Sequence, residues 1–377
     1  MKKMKVLILN YEYPPLGGGA ATATYNLLQQ LKDKDDIELI LLTSSVGKYM
    51  EESIGDNVRV VRLDIDKEGG LHNQSNKNLL KYSGKAFKWM LKNRKEYDLI
   101  HAFFGIPSGF LAMLIGKPYI VSLRGSDVPF YSKKYEKLDK YIFQHLSKLI
   151  WKRAKYVVAN SAGLRDLAYE TYDKKDIGVI YNGVDTNIFK PKEKEDEFTI
   201  VSTSRLTERK GLNYLIEAFG EFQNGKENVR LLFYGDGDQR EELEAMVEEL
   251  NIQDKVEFKG EASREDIAKN IPRCHVFVLP SKNEGMSNSL LEAMASGLAI
   301  IATDVGGTKE LVDSRNGFVV KKENSEEIKE GLERLYSDRE LLESMGKESR
   351  RKAEGMSWDN MAGEYVKLYE GAYSLEK

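Results

Sequence analysis

The sequence has few cysteines and histidines and lacks long apolar segments. Its 377 residues include a single cysteine, Cys274, which excludes an intrachain disulfide and a cluster of thiolate ligands. The four histidines do not have the spacing that metal sites require. The longest apolar segment, residues 109–115, is far shorter than the roughly 20 residues of a membrane-spanning helix. With 41% apolar and 31% charged residues, we expect a folded, soluble, cytoplasmic protein.

The net charge of −3 is distributed unevenly along the chain. Residues 1–190 contain 30 Lys and Arg against 21 Asp and Glu, whereas the remaining residues contain 27 against 39. The two parts therefore carry +9 and −12, an asymmetry that suggests different partners for each. Two ordinary surfaces that happen to differ in charge are the alternative interpretation.

Short β-rich runs alternate with helical patterns, which is typical of domains built around parallel sheets. The predicted strands of the first half are residues 6–10, 37–43, 58–63, 99–102, 119–123, 156–160 and 178–181. Those of the second half are residues 198–202, 229–234, 256–259, 276–279, 299–302 and 317–320. The charged segment 189–197 resembles a linker, so we predict one α/β domain over residues 1–190 and a second over residues 191–357.

Two predicted loops contain groups that bind phosphate. Gly17-Gly18-Gly19 lies between a strand and a helix, where glycine backbone and free N–H groups can approach an oxyanion. After the first strand of the second half, Arg205 and Lys210 can contact phosphate oxygens. A flexible turn and a solvated basic loop are the alternatives.

Two glutamates flank a predicted helix start in the second half. Gly285 and Ser287 indicate that the helix begins after Glu284 and places Glu292 in its early turns. The free N–H groups of the first turn would then lie between two carboxylates. This arrangement suits a nucleotide diphosphate sugar. The N–H groups would bind the pyrophosphate, one carboxylate would bind sugar hydroxyls, and the other would bind ribose hydroxyls. Two unrelated surface glutamates are the alternative.

Taken together, these segments resemble retaining glycosyltransferases of the GT-B fold, family 4 (glycosyl transferases group 1) type. The resemblance covers essentially the full length and is carried by residues 17–19, 98–101, 123–127, 182–185, 204–205, 210–211, 234–237 and 284–292. It implies two Rossmann-like, doubly wound domains that face a central cleft. It also implies that a C-terminal helix, about residues 358–377, packs back on the first domain.

The resemblance implies a role for individual residues at the donor. Arg205 and Lys210 would neutralise the diphosphate, while Glu284 and Glu292 would bind the sugar and the ribose. We expect catalytic roles for Arg205, Lys210 and Glu284. The other expected donor-binding residues are Gly18, Gly19, Gly235, Glu261, Arg264, Met286, Ser287, Asn288 and Glu292.

On the acceptor side the sequence departs from the family pattern. Many relatives carry a second histidine two residues after the one that matches His101, and here that position is Phe103. Some also have histidine where Arg124 stands. The expected acceptor-side residues are His101, Arg124 and Asp127.

The implied activity is the transfer of a sugar from a nucleotide diphosphate sugar to an acceptor hydroxyl, with retention of configuration, in glycan, glycolipid or cell-envelope polysaccharide synthesis.

We expect no cofactor and no metal, and we interpret the pairs Asp64/Asp66 and Asp236/Asp238 as chance matches to a metal motif. The basic stretch 132–155 suggests peripheral contact with an anionic membrane or an anionic acceptor, and nucleic acid is not expected. Alternatives are a sugar-nucleotide epimerase or another GT-B enzyme, and a non-catalytic sugar-nucleotide-binding protein.

Overall fold

The computed structural model describes residues 3–67, 75–132 and 136–374. The chain divides into two compact units, Met1–Asn182 together with Trp358–Lys377, and Gly183–Ser357. The predicted boundary after residue 190 falls inside the second unit, because Val184 and Phe189 are buried in that unit's core. The segment predicted to be a linker is also docked there, since Lys194 Nζ donates to the Cys274 carbonyl at 2.7 Å.

The first unit contains a mixed sheet. Its described strands are β1 (Met4–Leu9), β2 (Ile37–Ser44), β3 (Met50–Ile54), β4 (Val58–Leu63), β5 (Leu99–Phe103), β6 (Tyr119–Leu123), β7 (Tyr156–Ala159) and β8 (Ile177–Val179). They are arranged in the order β3-β4-β2-β1-β5-β6-β7-β8, and only β3 runs antiparallel to its neighbour. The sequence analysis missed β3 because this edge strand is polar and largely exposed, with Glu51 and Glu52 at its centre.

Seven α-helices of the first unit are described. They are α1 (Gly19–Leu31), α2 (Asn76–Lys92), α3 (Phe110–Ile115), α4 (Glu136–Leu138), α5 (Gln144–Arg153), α6 (Ala162–Thr171) and α14 (Trp358–Ser374). The last of these comes from the far end of the chain. It buries Trp358, Met361, Tyr365 and Tyr369 in the core of the first unit. These four side chains therefore form a packing face of the helix.

The second unit contains a parallel sheet. Its described strands are β9 (Phe198–Thr203), β10 (Val229–Tyr234), β11 (Val256–Phe258), β12 (Val276–Leu279), β13 (Ala299–Thr303) and β14 (Gly317–Val320), in the order β11-β10-β9-β12-β13-β14. Its helices are α7 (Leu212–Phe222), α8 (Arg240–Glu249), α9 (Arg264–Asn270), α10 (Asn288–Ala295), α11 (Thr308–Leu311), α12 (Ser325–Ser337) and α13 (Arg339–Glu354).

The strands of the second unit are apolar on both faces because helices cover both faces of the sheet. In β12, Val276 and Val278 belong to one buried cluster, and Phe277 and Leu279 belong to the other. This alternation confirms the doubly wound α/β prediction for the unit. None of the helices within the described ranges is both long and apolar enough to span a bilayer.

Candidate active site

Two loops meet at the switch point of the second sheet. Its strand order reverses between β9 and β12, and open α/β sheets bind ligands beyond the carboxyl ends of strands at such a point. The loop after β9 contains Arg209, whose carbonyl accepts a 2.8 Å hydrogen bond from the N–H of Lys282 in the loop after β12. Gly211 permits this approach: its φ is +61°, and a Cβ there would lie 2.3 Å from the Pro280 carbonyl oxygen.

A buried ion pair joins these loops. Lys210 Nζ lies 2.5 Å from Glu284 Oε1, and the two side chains are only 11% and 9% exposed. Ser281 Oγ donates to the same carboxylate oxygen at 2.8 Å, and Arg209 Nη1 lies 3.8 Å from the other. Burial raises the pKa of Glu284, but Lys210 and Arg209 outweigh it, so the pKa lies below its usual value. The carboxylate is therefore ionised at neutral pH.

The two predicted phosphate-binding cations are in different environments. Arg205 is exposed. Burial lowers the pKa of Lys210, an effect that the charge of Glu284 partly offsets. Both residues follow the carboxyl end of β9, where solvent exposure is the simplest expectation. That expectation is wrong for Lys210, because its counter-ion comes from a loop 74 residues further along the chain.

Close backbone packing shapes the basic loop. Gly235 has a φ of +132°, and a Cβ at this position would lie 1.9 Å from the Ser204 carbonyl oxygen. The neighbouring N–H of Leu206 donates to the Asp236 carbonyl at 2.9 Å. Gly235 therefore holds the turn against the loop of Arg205. Its own N–H donates to the Gly260 carbonyl at 2.8 Å, which links the turn to the segment that contains Glu261 and Arg264.

Helix α10 begins between the two glutamates. Ser287 is its N-cap, and the hydroxyl accepts the N–H of Leu290 at 3.3 Å. Asn288 is its first residue, so Glu284 lies in the preceding loop and Glu292 in the second turn. Met286 is buried within the loop.

Glu292 forms a second charged contact that the sequence analysis did not predict. Its Oε1 lies 3.6 Å from Arg264 Nε, and its side chain is 16% exposed. Burial raises the pKa of Glu292 to about 7, because the neighbouring Arg264 offsets only part of the desolvation. Glu261 lies on the exposed surface nearby in sequence. The structure thus brings Arg264 and Glu292 together as one pair, and Lys210 and Glu284 as another.

The glycine-rich loop belongs to the first unit, at the switch point between β1 and β5. Gly17 has a φ of +98°, and α1 begins at Gly19. The N–H of Gly18 donates to Glu12 Oε2 at 3.3 Å. A carboxylate of the chain itself therefore lies at this helix start.

His101 lies in the core of the first unit. It is fully buried, and its Nδ1 and Nε2 lie 2.7 Å from Tyr369 Oη and Ser122 Oγ respectively. Burial holds the pKa of His101 well below its usual value, and the charge of Arg124 lowers it further. Both ring nitrogens are therefore bonded inside the core, and the acceptor-side assignment of His101 stays a prediction.

Arg124 and Asp127 hold the loops that follow β5 and β6. The guanidinium of Arg124 lies 4.4 Å from the ring centroid of buried Phe103, and it donates to Tyr365 Oη at 3.0 Å. Asp127 accepts the N–H of Gly105 at 2.7 Å through one oxygen and the N–H of Arg124 at 2.9 Å through the other. Burial raises the pKa of Asp127, although these backbone donors oppose the shift. Phe103 takes no polar role, because it is packed between His101 and Arg124.

Within the described residues, no group of three or more His, Cys, Asp or Glu side chains is placed to hold a metal ion. The two acidic pairs make other contacts. Asp66 forms a 2.8 Å ion pair with Lys81, and Asp236 Oδ1 accepts the N–H of Gly237 at 2.7 Å.

Two family models together match most of the chain. The model described as Glycosyltransferase Family 4 matches residues 17–188. The model described as Glycosyl transferases group 1 matches residues 184–352. The junction between them lies close to the division between the two structural units.

Individual proteins agree with these models. An N-acetylgalactosaminyltransferase of Campylobacter jejuni, whose name specifies a diphospho-undecaprenol acceptor, is 25% identical over 98% of this chain and 100% of its own. Sucrose-phosphate synthase from Thermosynechococcus elongatus has the same fold, with a TM-score of 0.87, 20% identity, and coverage of 99% and 100%. Anabaena HepE, solved with UDP and glucose, has a TM-score of 0.75, 19% identity, and coverage of 97% and 99%. The chain belongs to the glycosyltransferases of the group 1, family 4 type.

Proposed function

We propose that this glycosyltransferase moves a sugar from a nucleotide diphosphate sugar to an acceptor hydroxyl with retention of configuration. The observation that carries the proposal is the Lys210–Glu284 pair beside exposed Arg205, at the switch point of the second unit. The site offers cations for a diphosphate and an ionised carboxylate for sugar hydroxyls. The Campylobacter jejuni relative supports an acceptor in glycan, glycolipid or cell-envelope polysaccharide synthesis.

The chemical step separates charge, and the site is suited to stabilise it. The bond between the anomeric carbon and the phosphate oxygen breaks, and its electron pair leaves with the diphosphate. Arg205, Lys210 and the positive end of the α10 dipole stabilise the negative charge that develops on the leaving oxygens. The acceptor oxygen attacks from the same face of the sugar and gives its proton to the leaving phosphate. Glu284 already balances Lys210, so we assign it to sugar hydroxyls rather than to nucleophilic attack.

The nucleoside is assigned to Arg264, Glu292 and the adjoining backbone. The Glu292 carboxyl group can hydrogen-bond ribose hydroxyls in either protonation state. Both states are populated near neutral pH, because the pKa of Glu292 is about 7. The structure of Anabaena HepE with UDP supports a uridine nucleotide as the first candidate to test.

Nucleotide sugars are expected to raise the melting temperature of the protein, because a ligand that binds only the native state stabilises it by mass action. UDP-, GDP- and ADP-sugars are compared by thermal shift, and one base should give the largest increase. Arg205→Ala should abolish most of this increase. Arg273→Ala is the matched control, since Arg273 is an exposed arginine of the same unit that pairs with Glu195. No shift with any nucleotide sugar would contradict the donor assignment.

We also propose that the diphosphate is balanced by side chains rather than by a bound ion. Turnover is therefore expected to be the same in EDTA as in buffer with magnesium or manganese. The assay is the release of nucleoside diphosphate after the purified enzyme has been dialysed against chelator. Activity that disappears in EDTA and returns with either metal would reject this part of the proposal.

An exposed surface on the first unit supports contact with an anionic membrane. In α4, the turn that follows it, and α5, the apolar side chains of Leu138, Tyr141, Ile142 and Leu149 are exposed on a stretch rich in lysine. Tyr141 is 70% exposed. Basic and apolar groups on one helical segment are typical of a membrane-surface contact. Lys133 and Lys134 of the same basic stretch lie outside the described residues.

Vesicles that contain phosphatidylglycerol are expected to bind the protein at low salt and release it at high salt. The Debye length falls from about 10 Å at 0.1 M salt to about 3 Å at 1 M. Changing Lys137, Lys140 and Lys148 to glutamine should weaken vesicle binding, measured by co-sedimentation, by about 1 kcal/mol for each basic residue at the membrane surface. Lys32→Gln with Lys34→Gln is the control, because both lysines are exposed after α1. If wild type does not sediment at low salt, a soluble acceptor is the better assignment.

A further inference from the structure

A cavity of about 420 Å³ lies in the second unit, away from the loops just described. Its lining includes His275, directly before β12, and Gly297, two residues before β13. These residues are at the amino edge of the parallel sheet, whereas Lys210 and Glu284 lie in loops beyond the carboxyl ends of its strands. The cavity is therefore separate from the proposed donor site.

The cavity is lined by more cations than carboxylates. Lys194, Arg339, Lys347 and Arg350 line it, with one carboxylate, Glu343. Arg339 stacks with its Cζ 5.3 Å from the ring centroid of Phe198, and it has no carboxylate partner among the described residues. Lys347 Nζ lies 3.8 Å from Glu343 Oε2, a solvent-exposed pair that binds weakly.

Lys194 adds a partly buried positive charge to this wall. Its ammonium group donates to the carbonyls of Pro272 and Cys274, at 3.1 and 2.7 Å. These oxygens satisfy its hydrogen bonds but do not neutralise its charge. The cavity therefore attracts anions.

His275 supplies a hydrogen-bond donor to the cavity. The side chain is only 7% exposed, and its Nδ1 accepts the N–H of Thr199 at 3.1 Å. Burial, with Lys194 and Arg339 nearby, lowers the pKa of His275 to about 4, so the ring is neutral and Nε2 carries the proton. That Nε2 has no hydrogen-bond partner among the described residues. Nε2 is accessible to solvent in the cavity, so its N–H can donate to a ligand that binds there.

The remaining wall includes apolar residues. Leu342 is buried, and Pro191 also lines the cavity. Helix α13 approaches closely here, because a Cβ on Gly346 would lie 2.5 Å from the Gly297 carbonyl oxygen. Arg350 Nη1 donates to the Ala295 carbonyl at 2.9 Å, at the last residue of α10. The cavity thus adjoins the far end of the helix whose first turn lies at the donor site.

We propose that this cavity binds a small organic anion in addition to the nucleotide sugar. Its acidic group, a phosphate, sulfonate or carboxylate, is held by Arg339, Lys347 and the Nε2–H of His275. Its apolar body packs on Leu342.

The test uses a matched pair of fluorescent probes. 1-Anilinonaphthalene-8-sulfonate carries an acidic group on an apolar body, and N-phenyl-1-naphthylamine is the same body without the charge. Each is titrated into wild type, Arg339→Gln/Lys347→Gln and the control Arg334→Gln, which changes an exposed arginine of α12 outside the cavity. The double variant should bind the sulfonate at least about tenfold more weakly, while the control and the uncharged probe are unaffected.

Two results would overturn this proposal. One is equal sulfonate binding by wild type and the double variant, and the other is displacement of the sulfonate by UDP. Circular dichroism and melting temperature establish that the double variant is folded. Lys347→Gln alone, at an exposed position, keeps the comparison valid if Arg339 proves necessary for stability. Neither probe titration depends on turnover, so failure here is distinguishable from failure of the proposed function.

Discussion

Arg205→Ala is expected to lower turnover by about 10²-fold or more, with little change in the free energy of unfolding. Loss of one preorganised group that stabilises developing charge has an effect of this size. The side chain is exposed, so its removal leaves no cavity in the core. Initial rates at saturating donor and the melting temperature are measured together, and turnover close to wild type would reject the phosphate role of Arg205.

Lys210→Ala is expected to lower turnover similarly and, unlike Arg205→Ala, to reduce stability. Removing one partner of a buried pair commonly costs about 3–5 kcal/mol because the other charge remains in the protein interior. Arg209 and Ser281 still contact Glu284, so we expect the lower end of this range. Adding Glu284→Gln to Lys210→Ala should recover much of the stability without recovering turnover. A double variant as unstable as Lys210→Ala would contradict the pairing.

Glu292→Gln is expected to stabilise the protein at pH 8. Folding raises the pKa of this carboxyl from 4.5 to about 7, so the folded state binds the proton more tightly than the unfolded state. The contribution of the Glu292 carboxyl group to the free energy of unfolding is therefore greatest below pH 4.5, and it is lost as the pH rises to 7 and above. The shift corresponds to about 3 kcal/mol in favour of Glu292→Gln at pH 8, and to little difference near pH 4.5.

Denaturant unfolding at several pH values measures this difference. Glu330→Gln is the matched control, because Glu330 is an exposed glutamate of α12 in the same unit. A pH-independent difference between wild type and Glu292→Gln would contradict the buried environment. If Glu292 binds the ribose, the more stable variant should also bind nucleotide sugar more weakly. Stability and donor binding would then change in opposite directions at one residue.

The sequence predicts the strands of this fold more reliably than its charged contacts. Strand β12 was predicted from a continuous apolar run, because burial on both faces leaves no polar position in it. The edge strand β3 lacks that signal. The position of Glu284 before α10 could be predicted from Gly285 and Ser287, since glycine and serine favour a loop and an N-cap.

The pairing of side chains could not be predicted in the same way. Lys210 and Glu284 meet because β9 and β12 are neighbours, and strand order is a property of the whole sheet. Arg209 and Ser281 were missed for the same reason, although Arg209 lies in the basic loop that the sequence analysis identified. His101 was assigned to the acceptor side because of its motif. The hydroxyls that surround it come from β6 and from α14, far away in the sequence.

Helix α14 also makes the order of synthesis important. Tyr365 and Tyr369 are core residues of the first unit, and they contact Ser122 and His101 there. On the ribosome, these tyrosines emerge only after the whole of the second unit has been translated. Until then the nascent first unit has an open apolar surface, and His101 Nδ1 on β5 lacks its tyrosine partner. The second unit, continuous from Gly183 to Ser357, has all of its own residues earlier and can fold while the first is still incomplete.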